Sequence, residues 1–113
     1  MTNKQANLEI SVKELKERLD KGEDLLLLDI REGHELDIAK LNHNKHIPMG
    51  ELSARVGELE VFKSKDIVVM CRSGGRSMRC VQFLRSKGFD SAINLAGGIL
   101  AWSDEIDNSI PKY

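Results

Sequence analysis

The order of apolar and polar positions along this chain predicts strands and helices in alternation. Two short runs are largely apolar, Leu25–Ile30, which is interrupted by Asp29, and Ile67–Met70. Such runs are typical of strands buried on both faces of a sheet. Shorter strands are predicted at Leu8–Ile10, His46–Met49 and Ala92–Leu95. Strands that alternate with helices pair in parallel through right-handed crossovers. The sequence therefore predicts an α/β fold.

Apolar residues spaced three and four apart predict the helices between these strands. The first predicted helix begins at Ser11, which can form a capping box with Glu14, and ends at Gly22. A polar loop is predicted between the second strand and His46. The other helices are predicted over Leu52–Leu59, Ser77–Lys87 and Ile99–Ile106.

Length and charge narrow the class of protein. At 113 residues the chain can form one domain with a sizeable core but not two. We expect a single domain over 1–113, with its core at about 9–106 and short polar tails. Hydrophobic residues make up 41% and the net charge is -1, so neither nucleic-acid nor membrane binding is expected.

The cysteines and the first residues predict a reducing, cytoplasmic location. Cys71 lies at a predicted loop and Cys80 in a predicted helix, which does not fit a disulfide framework. Residues 1–7 are polar and lack the apolar run of a signal peptide. Cys80 is surrounded in its helix by apolar residues and is interpreted as a small core residue.

Cys71 is the strongest candidate for chemistry. It follows the second apolar run and so lies at the carboxyl end of a strand, where open α/β sheets bind ligands. Gly74 and Gly75 allow the backbone to fold into a tight cradle. The amide groups of that loop, with those that begin the next helix, are expected to point at the sulfur.

Positive charge surrounds the same loop. Arg72, Arg76 and Arg79 follow the cysteine, and no acidic residue occurs between Cys71 and Asp90. An exposed thiol in such an environment is a thiolate at neutral pH, and the thiolate is the nucleophile. A cysteine that ends a buried strand is usually inert, but the combination with paired glycines and arginines favours a reactive one.

Other candidate ligands have simpler interpretations. His43 and His46 are spaced like part of a metal site, but no cysteine or third histidine is near them in the sequence. A solvated or capping role is favoured for both, and no metal is expected. Trp102 is interpreted as a core anchor of the last helix.

Three motifs in order resemble those of single-domain rhodaneses, the thiosulfate sulfurtransferase-like family. The first is Leu27–Glu32 with Glu35, similar to a family strand that ends in Asp-x-Arg. The third is Asn94–Trp102, which resembles a closing Leu-x-Gly-Gly-x-x-x-Trp signature. The second, within Val69–Ser77, resembles the active-site loop and consists of Cys71, Arg72, Ser73, Gly74, Gly75, Arg76 and Ser77.

The resemblance implies a three-layer sandwich with a mainly parallel sheet, and a sulfur-transfer reaction. Cys71 would take the outer sulfur of a donor such as thiosulfate, hold it as a persulfide and pass it to a thiol or to cyanide. Loop amides from Arg72 to Ser77 would stabilise the anions, and Arg72 and Arg76 would attract the donor. Asp29 and Arg31 would brace the loop. The resemblance implies no cofactor and no metal.

The chain departs from the commonest family pattern in two places. Segment Ala39–Pro48 replaces a Gly-His-Ile-Pro-Gly-Ala stretch, and Glu35–Ala39 followed by His46–Pro48 resembles rhodanese domains fused to ubiquitin-activating-like enzymes of sulfur transfer. Glu35 stands where two-domain rhodaneses have an arginine. Both departures concern the substrate rather than the fold.

Two alternatives to a free-standing sulfurtransferase remain. A carrier in a protein sulfur relay would use the same Cys71 thiolate to hand sulfur to a partner protein. Cysteine-dependent phosphatases and arsenate reductases need Cys-x5-Arg spacing to encircle a tetrahedral anion, whereas Cys71 and Arg76 are spaced Cys-x4-Arg. The shorter loop favours a sulfur atom over a phosphate.

Overall fold

The computed structural model describes residues 8–42 and 45–113, and every structural statement below concerns those residues. Five short strands form a single sheet in which all neighbouring pairs are parallel. The strands are β1 (Glu9–Ile10), β2 (Leu26–Asp29), β3 (Lys45–His46), β4 (Ile67–Met70) and β5 (Ala92–Leu95). Their order across the sheet is β1-β5-β4-β2-β3, which places β4 at the centre.

Helices connect the strands and cover the sheet. They are α1 (Val12–Asp20), α2 (Gly33–Ile38), α3 (Met49–Arg55) with a 3-10 helix at Val56–Phe62, α4 (Gly75–Ser86) and α5 (Gly98–Glu105). Among the described segments, none of these helices is both long and apolar enough to cross a bilayer.

A hydrophobic core lies on each face of the sheet. One contains Leu52 of α3 and Leu84 of α4, and the other contains Leu15 of α1 and Ile99 of α5. Successive side chains of a strand point to opposite faces, so Val69 joins the first core and Val68 the second. The result is the three-layer α/β sandwich that the sequence predicts, with helices on both faces of a parallel sheet.

Local sequence accounts for several element boundaries. The Ser11 hydroxyl accepts a hydrogen bond from the Glu14 amide at 3.0 Å, which satisfies one of the free N–H groups that begin α1. Gly22 follows the helix with φ of +72°, a left-handed conformation that favours glycine. Both features agree with the predicted cap and the predicted end.

The structure differs from the predicted elements in three segments. The predicted polar loop contains the short helix α2, which begins at a capping box between Glu32 and Glu35. The helix predicted over Leu52–Leu59 is α-helical only to Arg55 and then tightens into a 3-10 helix. Helix α4 begins at Gly75 rather than at Ser77, because φ of +109° at Gly74 turns the chain directly into the first turn.

The last residues of the chain also differ from expectation. The sequence predicts a short polar tail after about residue 106, but Ile110 and Tyr113 pack against the second core. The Ser103 hydroxyl donates a hydrogen bond to the Ile110 carbonyl at 2.6 Å and helps to fix this segment. The predicted polar tail at residues 1–7 lies outside the described residues.

The strand register brings three polar or reactive residues to one edge of the sheet. Asp29 pairs with Met70, so Cys71 lies one residue beyond the end of β4. Asn94 of β5 pairs with Val69 on the other side of the same strand. The carboxyl ends of β2, β4 and β5 therefore meet at this edge, which is the usual ligand position in open α/β sheets.

Candidate active site

Cys71 lies at the centre of the site, and its thiol is covered. The residue is only 1% exposed, so the sequence-based expectation of an exposed thiol is wrong. The following loop folds over the sulfur, and the Gly74 amide donates a hydrogen bond to Sγ at 3.0 Å. Cys71 nevertheless lines a cavity of about 380 Å³, so a small reactant has a route to the sulfur.

Hydrogen-bond donors converge on the Cys71 sulfur. The Ser77 hydroxyl lies 3.2 Å from Sγ, and α4 begins with its free amide groups directed at the same atom. Burial raises the pKa of the Cys71 thiol, but the Ser77 hydroxyl and the amides of Ser77, Gly74 and Ser73 outweigh burial and lower it. The cradle of amide groups that the sequence predicts is therefore present, and it favours a thiolate.

The amino-terminal end of α5 holds this loop from outside. The Ile99 amide donates to the Cys71 carbonyl at 3.0 Å, and the Leu100 amide donates to the Arg72 carbonyl at 3.1 Å. The carbonyls of Cys71 and Arg72 thus point away from the sulfur, toward α5. The amide groups of the same loop are then able to point toward the sulfur.

This approach requires glycine at residue 98. Gly98 has φ of +59°, and a Cβ there would lie 2.5 Å from the carbonyl oxygens of both Cys71 and Arg72. The closing glycine pair of the sequence motif thus serves to bring α5 against the cysteine loop.

The other residues that line the cavity are polar or cationic. They are Arg72, Ser73, Gly75, Arg76 and Arg79. The sequence predicts Arg72 and Arg76 as donor-binding groups and Arg79 only as added charge. All three side chains face the cavity, but they differ in their partners.

Arg76 is held by a carboxylate that comes from a distant part of the sequence. Its two terminal nitrogens donate to the two Glu35 oxygens at 2.7 and 2.8 Å. The hydrogen bonds from Arg76 are the main cause that lowers the pKa of Glu35 to about 2. The charge of Arg76 is therefore largely compensated, and its direct contact with a donor stays a prediction.

Tyr113 binds the same cluster from the end of the chain. Its hydroxyl donates to Glu35 Oε2 at 2.7 Å and accepts from Arg31 at 2.8 Å. Its ring lies 5.2 Å from the guanidinium carbon of Arg72, whose Nε donates to a main-chain oxygen of Tyr113. Tyr113 was missed as a site residue, and Glu35 was noted only through the family resemblance, because the contacts of Glu35 with Arg76 and Tyr113 cross 41 and 78 positions of sequence.

Arg79 is a cation of the cavity that has no partner among the described residues. The residue is exposed, and its side chain has no ion-pair or hydrogen-bond partner within 8–42 and 45–113. An unpaired cation at the mouth attracts anions more strongly than a paired one. Arg76 and Arg72 precede Arg79 by three and seven positions, which places all three arginines near one end of α4. This spacing is the sequence signal for the role.

Asp29 and Arg31 form a fully buried ion pair beside the site. Arg31 donates to Asp29 at 2.8 Å, and it also donates to the Ala39 carbonyl at 2.9 Å and the Glu35 carbonyl at 3.4 Å. These bonds fix α2, whose Glu35 in turn holds Arg76. The pair therefore reaches the cysteine loop through α2, and its proposed bracing role is indirect.

A solvated or capping role is the expectation for His43 and His46, and the structure describes only His46. His46 Nε2 donates to the Arg31 carbonyl at 2.7 Å, and His43 lies outside the described residues. In the described part of the chain, no three histidine, cysteine or acidic side chains are grouped so that they could hold a metal ion.

Cys80 differs sharply from Cys71. It is 3% exposed and belongs to the core between α3, α4 and the sheet, as the sequence predicts. Burial raises the pKa of its thiol to about 11, so Cys80 stays protonated and unreactive near neutral pH.

We expect the alkylation rate of Cys71 to reach half its plateau at a pH below about 8.5, the ordinary value of a free thiol. Only the thiolate reacts, and the lowered pKa of Cys71 increases the thiolate fraction at neutral pH. The measurement is the rate of iodoacetamide labelling against pH, followed on the Cys71 peptide by mass spectrometry. A midpoint at or above the free-thiol value would contradict the described hydrogen bonding.

The sequence and structure of this chain match one family of known proteins. A family model described as a rhodanese-like domain matches residues 11–105. The chain is 37% identical over 95 residues to a sulfurtransferase of Allochromatium vinosum, covering 84% of this chain and 87% of that protein. A rhodanese-related protein from Thermoplasma volcanium superposes with a TM-score of 0.77 at 31% identity, covering 87% of this chain and 92% of that one.

Some relatives are much longer than this chain. It is 38% identical over 109 residues to the adenylyltransferase and sulfurtransferase MOCS3-1 of Zea mays, covering 92% of this chain and 23% of that protein. The chain thus spans about a quarter of the length of the Zea mays and Arabidopsis thaliana MOCS3 relatives, and most of the length of the Allochromatium vinosum and Thermoplasma volcanium proteins.

Proposed function

This chain belongs to the rhodanese-like domain family, and we propose that it is a sulfurtransferase in which Cys71 carries the transferred sulfur. The observation that carries the proposal is the Cys71 sulfur itself. It lies among hydrogen-bond donors that favour its anion, and it lines a cavity with cationic side chains. A nucleophilic thiolate facing a site for anions is what sulfur transfer from an anionic donor requires.

In the first half-reaction, Cys71 attacks the outer sulfur of a donor such as thiosulfate. A bond forms between Sγ and that sulfur, while the bond to the sulfite group breaks and its electron pair leaves with sulfite. The thiolate becomes a persulfide anion, and the total charge is unchanged. The loop amides that stabilise the thiolate can stabilise the persulfide anion without rearrangement.

In the second half-reaction, a thiolate or cyanide attacks the outer sulfur of the persulfide. The sulfur leaves as the persulfide of the acceptor thiol or as thiocyanate. The electron pair of the broken S–S bond returns to Cys71. Neither half-reaction needs an external oxidant or reductant. The cycle predicts ping-pong kinetics, because the first product leaves before the acceptor reacts.

A relay carrier is the second candidate, and the long relatives favour it. Relatives such as that of Zea mays join adenylyltransferase and sulfurtransferase in one name, and this chain matches only a quarter of their length. In a carrier, the persulfide of Cys71 would pass to a partner protein rather than to a small acceptor. The exposed Arg72 and Arg79 at the cavity mouth could then contact that partner.

Turnover measurements separate the two candidates. A free-standing enzyme should release thiocyanate steadily from thiosulfate and cyanide, with both half-reactions saturable. A carrier should load one sulfur rapidly but discharge slowly to cyanide and faster to an acceptor protein that bears a thiol. Failure to load sulfur from any persulfide or thiosulfate donor would contradict both.

A phosphatase reaction is not favoured by the site. The loop has Cys-x4-Arg spacing, and Arg76 directs its terminal nitrogens at Glu35 instead of at the space above the sulfur. A tetrahedral phosphate would need both a wider ring of amides and that guanidinium.

We expect Arg79→Ala to slow reactions of Cys71 with anionic reagents by about 3- to 10-fold, with little effect on neutral ones. Arg79 is the unpaired cation of the cavity, so its removal lowers the local concentration of anions. Iodoacetate and iodoacetamide form a matched anionic and neutral pair for this measurement on Cys71.

The control for Arg79 is Lys87→Ala, which removes one positive charge at the opposite end of α4. The iodoacetate effect should shrink as salt is raised, since exposed charges are screened. Equal slowing of both reagents in Arg79→Ala would show that Arg79 acts on the loop rather than on the anion.

A further inference from the structure

Asn94 is a buried polar residue that the mechanism above does not use. It lies in the otherwise apolar strand β5 and is 1% exposed. Its Nδ2 donates to Glu9 Oε2 at 2.9 Å and to the Gly74 carbonyl at 3.2 Å, and its Oδ1 accepts from the Ser77 hydroxyl. Burying a side-chain amide in a strand is costly unless its polar atoms are hydrogen-bonded. The bonds that satisfy Asn94 connect it to the cysteine loop.

The orientation of the Asn94 amide is determined by its partners. A carboxylate and a main-chain carbonyl can only accept hydrogen bonds, so the NH2 group must face Glu9 and Gly74. The amide oxygen must then face Ser77. Asn94 therefore presents a fixed acceptor to the Ser77 hydroxyl.

The Ser77 hydroxyl has one proton and more than one acceptor within reach. Sγ of Cys71 lies at 3.2 Å, the Gly74 carbonyl lies at 3.3 Å, and Asn94 Oδ1 lies closer than either. Because Ser77 can donate to only one of them fully, the sulfur and Asn94 compete for the same proton.

Which atom accepts the Ser77 hydrogen bond depends on the charge of the Cys71 sulfur. When Cys71 is a thiol, its S–H can donate to Ser77 Oγ while Ser77 donates to Asn94, and each group is satisfied. When Cys71 is a thiolate, the stronger acceptor is the sulfur, and the Ser77 proton turns toward it. When the sulfur is loaded, the charge lies on the outer sulfur and the Ser77 proton can return to Asn94.

We propose that Asn94 is a positioning residue for Cys71 that acts through Ser77, by accepting the Ser77 hydroxyl proton whenever Sγ carries no negative charge. This inference rests on the proposed sulfur transfer at Cys71. Because Asn94 competes for the Ser77 proton, the Cys71 thiolate is stabilised less than it would be if Ser77 could donate to the sulfur alone. A less stabilised thiolate is a stronger nucleophile, so Asn94 favours attack on the donor at pH values above the midpoint, where Cys71 is already a thiolate.

The charged groups around Cys71 lie on several elements, and the substitution of Asn94 removes none of these charges. Arg76 and Arg79 face the cavity from α4, and Arg72 faces it from the loop. Glu35 of α2 compensates Arg76, and Cys80 is a neutral thiol within α4. Glu9 of β1 lies beyond Asn94.

The test is the pH profile of Cys71 alkylation by iodoacetamide in Asn94→Val, whose side chain suits a buried strand and offers no acceptor. Ser77 should then donate to the sulfur alone, so the midpoint should fall below that of the native protein. Below the midpoint alkylation should be about 2- to 3-fold faster, and on the plateau about 2- to 3-fold slower. The two profiles should therefore cross.

Ser77→Ala provides the matched background. That variant alone should raise the midpoint, because the sulfur loses a donor. Adding Asn94→Val to Ser77→Ala should leave the midpoint unchanged if Asn94 acts through the hydroxyl. Asn94→Ala is measured in parallel so that the outcome does not depend on how one variant folds, and exposed Asn108→Ala serves as a control.

Two results would overturn the inference. A midpoint that rises in Asn94→Val would mean that Asn94 acts by holding Gly74 and its amide in place. An equal shift with and without Ser77 would mean that the hydroxyl does not transmit the effect. Neither result depends on sulfur loading, so failure of this inference is distinguishable from failure of the proposed function.

Discussion

Cys71→Ser should fold like the native protein and show no transfer of sulfur from thiosulfate to cyanide above the uncatalysed background. A serine oxygen cannot form a persulfide, so the reaction loses its covalent carrier. The hydroxyl can still accept the Gly74 amide hydrogen bond, so the free energy of unfolding should stay within about 1 kcal/mol of native. The measurements are steady-state thiocyanate release and denaturant unfolding of the same samples.

The second cysteine gives a matched control for this variant. Cys80→Ser places a hydroxyl in a core position and should lower the free energy of unfolding by about 1–2 kcal/mol. Its turnover at temperatures where it is folded should equal that of the native protein. Residual activity in Cys71→Ser, or its loss in a stable Cys80→Ser, would mean that the sulfur is carried elsewhere.

Gly98→Ala should have a large effect although Gly98 does not line the cavity. Alanine at φ of +59° costs about 1–2 kcal/mol, and its Cβ would lie 2.5 Å from two carbonyl oxygens. The combined loss in the free energy of unfolding should reach about 2–5 kcal/mol. Because the two carbonyls belong to Cys71 and Arg72, relief of the clash must move the loop that surrounds the sulfur.

The displaced loop should lower activity beyond the loss of folded protein. We expect turnover of the folded fraction to fall by roughly 10- to 100-fold, since a small misplacement of donors has effects of this size. Gly50→Ala is the control, because a Cβ there meets nothing within 4 Å and Gly50 lies within α3. That variant should be as active as native and equally or slightly more stable. Equal stability of the two variants would contradict the described packing of α5.

The elements that the sequence predicted best are those whose pattern is purely local. The apolar run that forms β4 has the predicted bounds, because a strand buried on both faces excludes polar residues along its length, and β5 has its predicted bounds although it contains Asn94. Cys71 and its glycine-rich loop followed from the end of β4. Helix α2 was missed because its six residues carry too short a pattern to predict a helix.

The parts of the site that were missed depend on tertiary contacts. Glu35 and Tyr113 reach Arg76 and Arg72 from distant segments, and nothing in their local sequence indicates it. The covered position of Cys71 was also missed, since the fold of the loop over its sulfur depends on α5. Asn94 did carry a signal, because a polar residue within an apolar strand must find buried partners.

The central claim is that Cys71 holds a sulfur atom, and intact-mass measurement tests it most directly. After incubation with thiosulfate, the native protein should gain the mass of one sulfur atom, and cyanide or an excess of thiol should remove it. Peptide mapping should place the added sulfur on Cys71, and Cys71→Ser should gain none. A native protein that gains no sulfur from thiosulfate or from a persulfide donor, or gains it equally in Cys71→Ser, would contradict the account.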